Sequence, residues 1–160
     1  MGRTWWVYKD TRVSDSHVPP ERMNFNSLLP ELSVSDFTTS VHFYQEILEF
    51  TVEYTRDDPK FAFLSYGKSQ LMIQELKPGE QAKEQLECPY GRGINFQIET
   101  ESVQKIIASL EKHTYPLKRG VKDSWYKGKG VRYGCREILV QDPDGYLLRF
   151  SEDLGDRDSG

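Results

Sequence analysis

A chain of 160 residues is the size of one ordinary domain, so a single core is expected. Hydrophobic residues make up 37% and aromatic residues 12%, too much aromatic content for a disordered chain, and no apolar run reaches the roughly 20 residues of a membrane span. Lysine and arginine number 21 against 25 aspartates and glutamates, a net charge of −4 that excludes a general nucleic-acid footprint and, taken alone, welcomes a cationic ligand.

Residues 1–26 carry charges every few positions, the pair Pro19-Pro20 and no apolar stretch of secretory type. They read as a polar, loosely attached leader. A reducing cytoplasm is the expected compartment, with Cys88 and Cys135 as ordinary buried thiols. From Leu28 the pattern changes. LLPELSV is strand-like, Ser35-Asp36 offers a cap, and Phe37, Val41, Tyr44 and Leu48 follow at helical spacing, predicting a helix over 36–48. FTVEYTR (50–56), KFAFLSY (60–66) and LMIQE (71–75) then alternate as strands, the last two joined by the turn at 66–69.

The charged, turn-rich stretch 77–93 reads as a linker to a second strand, INFQIE (94–99). Thr100 can cap a helix carrying Val103, Ile106, Ile107 and Leu110, which ends before Tyr115-Pro116 because proline cannot continue it. Strands are predicted at 116–118, 136–141 and 146–151, with Asp142-Pro143-Asp144-Gly145 as a hairpin turn and 153–160 as a polar tail. The order β-α-β-β-β thus occurs twice, at a spacing of about 65 residues. The fold class is α+β: two paired βαβββ modules, about 28–76 and 92–152, forming curved sheets with a ligand cup inside one domain over 27–152.

The stretches LLPELSVSDFTTSVHFYQEILEF, FAFLSYGKSQLMIQE, GRGINFQIE and CREILVQDPDGYLLRF resemble, in family order, the vicinal oxygen chelate superfamily and within it the bleomycin-resistance branch. The resemblance covers about residues 28–152. It implies a metal held by His and Glu side chains in the enzymes of the family, yet the corresponding positions here hold Leu29, Gly93 and Arg149. Leucine and glycine side chains donate no lone pair, and a guanidinium repels a cation. Glu75 stands at a remaining ligand position, and His17, His42 and His113 fall in the leader or on predicted helices. No metal and no other cofactor is therefore expected.

Strand alternation places Glu31 and Ser33 inside the cup with Leu29, and Asn95 and Gln97 with Gly93; Arg149 joins them from the last strand. Glu31 and Arg149 either pair as ions or contact a ligand. Glu137 is either a sheet-stabilising carboxylate or a pocket residue. Tyr133 stands where bleomycin-binding relatives carry a stacking aromatic, and Trp125 lies in the preceding glycine-and-lysine loop, so both are expected at the cup mouth. Phe61 and Phe63 either line the cup or pack in the core.

Two functions follow. The first is a metal-free protein that sequesters a partly aromatic, cationic small molecule in a homodimer groove, by analogy with antibiotic-resistance proteins of the bleomycin type. Its ligand-binding residues would be Glu31, Phe61, Phe63, Asn95, Trp125, Tyr133, Glu137 and Arg149. The alternative is a metal-independent enzyme of the same fold, using a carboxylate as acid or base. Neither involves nucleic acid or membrane.

Overall fold

The computed structural model describes residues 24–79 and 86–158. Most of the expected leader, residues 1–23, lies outside the described residues, as do 80–85 of the expected linker and 159–160. In chain order the elements are β1 (Glu31–Val34), α1 (Phe37–His42) running on into a π-helical turn (Phe43–Ile47), β2 (Thr51–Asp57), β3 (Lys60–Tyr66) and β4 (Ser69–Glu75). The second set is β5 (Asn95–Glu99), α2 (Val103–Lys112), β6 (Arg119–Lys127), β7 (Val131–Gln141) and β8 (Leu147–Asp158). They form two four-stranded mixed sheets, ordered β1-β4-β3-β2 and β5-β8-β7-β6, in which β1 and β5 run parallel to β4 and β8.

Each helix starts where a side chain satisfies its free backbone donors. Asp36 caps α1 in extended conformation and accepts the Thr39 amide at 2.6 Å, while Glu75 accepts the Phe37 amide at 3.1 Å. For α2 the cap position is Ser102, not Thr100 as the sequence suggests, and Glu152 from β8 accepts the Val103 amide at 2.8 Å. Val103, Ile106 and Leu110 form the buried stripe of α2.

The helix-bearing faces of both sheets meet in one core. Leu32, Val34, Leu64 and Ile73 of the first module share it with Ile98, Ile138, Val140 and Phe150 of the second, and Phe43 and Leu110 bring in the helices. The hairpin turn at 142–145 locks the modules together: Asp144 accepts the Ser35 amide at 3.0 Å, Asp142 the Tyr44 hydroxyl at 2.9 Å, and the Tyr146 hydroxyl reaches the Ser33 carbonyl at 3.1 Å. Burial pushes the Asp142 carboxyl up to about 6 and the Tyr44 hydroxyl well above its ordinary value.

The structure departs from expectation in five places. The glycine-and-lysine loop is no loop: Trp125 and Tyr133 belong to β6 and β7, a long antiparallel hairpin. The strand expected at 116–118 is β6 at Arg119–Lys127, and the expected polar tail continues β8 to Asp158, paired with Val131. These segments run beyond the helices, so both faces meet water and apolar alternation, the signal for a half-buried strand, is missing. The leader's last residues are tied down, because Gln70 on β4 accepts the Asn26 amide at 2.7 Å and donates to the Asn24 carbonyl at 2.8 Å. Cys88 is exposed and Cys135 half-buried, and neither forms a disulfide.

Candidate functional site

Because both sheets turn their helix-bearing faces to the common core, their other faces point away from it, one on each side. On the first sheet that face is aromatic. Phe61 and Phe63 alternate with the core residues Ala62 and Leu64 and are 1% and 0% exposed. Tyr54 stacks on Phe63 at 5.6 Å, Phe25 meets Phe63 edge-on at 5.3 Å, and the Arg56 guanidinium lies 3.8 Å over Phe61. Leu29 and Met72 pack at the edge of this cluster, and Glu31 is exposed opposite Met72.

On the second sheet the corresponding face is charged. Glu137 is 4% exposed in the middle of β7. Arg149 reaches one of its oxygens at 3.4 Å from β8, and Arg119 the other at 3.7 Å from β6. Of the two alternatives for Glu31 and Arg149, the ion pair does not form, because Glu31 lies on the other sheet and Arg149 pairs with Glu137. The register sets Gln97, Arg149, Leu139 and Arg119 in one row across the four strands, with Lys122 opposite Glu137. Asn95 is exposed opposite half-buried Leu147.

Trp125 and Tyr133 do not share a face. Trp125 pairs with Gly134 and Tyr133 with Tyr126, so strand alternation sends the two rings to opposite sides of the hairpin. Trp125 lies on the side of Asp123 and Arg136, under the Arg157 guanidinium at 3.8 Å. Tyr133 is 51% exposed beside exposed Tyr126, on the same side as Cys135 and Glu137. A shallow cleft of about 290 Å³ lies elsewhere, lined by Lys68, Ser69, Glu99, Thr100, Glu101 and Asp153.

The twofold βαβββ order, the two mixed sheets and the locking turn at 142–145 accompany a match of residues 25–150 to the family model of the glyoxalase/bleomycin resistance protein/dioxygenase superfamily. The chain belongs to that superfamily. Among curated proteins no match is found. Similar solved structures include a virulence protein from Salmonella typhimurium, 18% identical, covering 81% of this chain and 98% of its own with a TM-score of 0.56. TioX from Micromonospora sp. ML1 is 18% identical over 81% of this chain and 100% of its own, TM-score 0.57. A superfamily protein from Alicyclobacillus acidocaldarius is 14% identical over 81% and 92%, TM-score 0.57. At these identities the likeness carries the fold.

Within the superfamily the residues of this chain do not fit a divalent cation. Leu29 packs against the aromatic cluster, Gly93 sits in a turn at φ 81°, and Arg149 brings a positive charge. Glu75 projects to the helix-bearing side, where it holds the Phe37 amide and pairs with Lys60 at 2.9 Å. Among the described residues no three His, Cys, Asp or Glu side chains gather, and His42 and His113 face each other across the helices at 6.3 Å without a third donor.

Sequence reasoning missed Tyr54 and Arg119. Simple alternation puts Tyr54 on the side of core residue Val52, but a bulge between them turns it to the face of Phe63. Arg119 carries no signal at all, since its partner Glu137 is on a strand whose register only the folded sheet defines.

Proposed function

We propose that the chain is a metal-free small-molecule binding protein of the bleomycin-resistance type, working as a homodimer in the cytoplasm. Each groove is closed by the aromatic face of one copy and the charged face of the other. The observation that carries this reading is the outward orientation of two unlike, site-bearing faces around a single core, so one chain cannot bring them together. Phe25 and Leu28 at the first face and Tyr126 and Tyr133 at the second are large hydrophobics at least half exposed, which suits burial against a second copy. The free thiols Cys88 and Cys135 suit a reducing compartment.

Ligand capture is stoichiometric in this reading: ring stacking in the groove holds the molecule and no bond is made or broken. The enzyme alternative would need Glu31, Glu137 or Tyr133 to act alone. Glu31 sits on a different sheet from the other two, and Glu137 is already engaged by two guanidiniums. Sedimentation at micromolar concentration is expected to give a dimer, and a thermal-shift screen of aromatic metabolites and antibiotics to give a saturable rise in Tm without product. A monomer at all concentrations, or turnover persisting in chelator, would overturn the proposal.

A further inference from the structure

The geometry of the second sheet points to a ligand class: we infer that Arg149 and Arg119 bind the carboxylate of a small amphipathic monoanion laid over Leu139 and Leu147. This deepens the binding reading above and rests on it for the covering face from a second copy; the guanidiniums and the apolar floor belong to one chain.

Glu137 is the only acidic group that an ion pair gives to these two arginines among the described residues, and one carboxylate cannot neutralise two guanidiniums. Its contacts with them, 3.4 and 3.7 Å, are longer than the roughly 2.7–2.9 Å of a charge-assisted hydrogen bond. The Arg149 Nε–H is buried with no hydrogen-bond partner among the described residues, which costs free energy unless something accepts from it. Lys122, opposite Glu137 in register, adds a third positive charge to the same face. Glu99, across Ser151 from Glu137, offsets Lys122 on that face, so the positive excess is local to the two guanidiniums that share one carboxylate, and it is there that the expectation of a cationic ligand is reversed.

The row Gln97-Arg149-Leu139-Arg119 sets the two guanidiniums on either side of a half-buried leucine, and Leu147 lies one alternation before Arg149. Planar forks with five N–H donors each match a carboxylate, while the two leucines offer its apolar body a floor. A strongly hydrated inorganic anion uses the forks and wastes the floor.

The test uses the full chain, isotope-labelled so that arginine Nε–H signals are seen, titrated with benzoate, benzamide, benzylammonium and inorganic phosphate. Benzoate is expected to saturate and move the Arg149 Nε–H signal, with the other three weaker by about tenfold or more. Arg149→Gln is expected to weaken benzoate at least about tenfold, and Arg119→Gln, at a more exposed arginine, to weaken it even if the first variant folds poorly. Glu137→Gln is expected to tighten benzoate, because the internal competitor is removed; a purely structural ion pair gives no such gain. Benzamide or benzylammonium matching benzoate overturns the anion class and leaves the binding reading standing. Phosphate matching benzoate overturns the amphipathic part. A sedimenting dimer that binds none of the four overturns the inference alone, and a monomer that binds none overturns both.

Discussion

Asp142 is the residue whose environment most shapes the response to pH. It accepts the Tyr146 and Asp144 amides at 2.7 and 3.1 Å and the Tyr44 hydroxyl at 2.9 Å, inside the junction of the two modules. Burial still wins over these bonds and raises its carboxyl to about 6 from an ordinary 3.8. A raised value means that the folded state holds the proton more tightly. Its contribution is therefore fully present below about pH 4 and is lost as pH rises through 6. A displacement of that size corresponds to about 3 kcal/mol, so Tm is expected to rise on acidification from pH 7 to 5. Asp36, whose carboxyl is lowered by the Thr39 amide, loses its contribution only at more acid pH. In Asp142→Asn the rise between pH 4 and 6 should flatten in melting curves; an unchanged slope places the linkage elsewhere. Gly145, in the same turn, has φ 97° and no room, since an added Cβ would meet the Pro89 Cα at 2.5 Å. Gly145→Ala is expected to cost about 2 kcal/mol or more, read as a fall in Tm of at least roughly 5 °C.

Among the elements, the β6–β7 hairpin separates the two aromatics that the sequence grouped. Trp125 fills the space a side chain at Gly134 would take, with the ring 2.6 Å from an added Cβ, and carries Arg157 on its face. Trp125→Ala should therefore loosen the hairpin, seen as faster amide exchange from Asp123 to Arg136, while ligand affinity changes little. Tyr133→Ala should do the reverse, weakening a stacked ligand by about 1 kcal/mol with little change in Tm. Equal effects of both variants on affinity would sink the assignment of opposite faces. The helices behave as their sequence says: Phe37, Val41 and Tyr44 and then Val103, Ile106 and Leu110 mark the faces that meet the core. The helix starts needed the fold, because Glu75 comes to Phe37 from a strand 38 residues on and Glu152 to Val103 from a strand 49 residues on.

For the whole molecule, the decisive feature is that one core serves both modules and leaves the two faces of the proposed site outward. Leu28 is 81% exposed beside the aromatic face, so little packing among the described residues depends on it. If the proposed dimer forms, Leu28→Glu is expected to leave the monomer folded and lower the sedimentation coefficient from the dimer's to that of a monomer, with Tm independent of protein concentration. A dimer that survives this change uses another surface.

The sequence by itself determined the order of elements in the two modules, the helix faces and the residues at the positions of the expected metal ligands. Those features depend on local chemistry: a cap, a 3.6-residue or two-residue period, a lone pair present or missing. Tertiary structure alone decided that Arg149 pairs with Glu137 and not Glu31, that Tyr54 joins Phe61 and Phe63, and that Trp125 and Tyr133 part company. Each of these turns on strand register and on which faces two sheets present to one core. A shift of one residue inverts a strand's faces without changing the composition, and the energy that fixes it comes from residues far away in the chain.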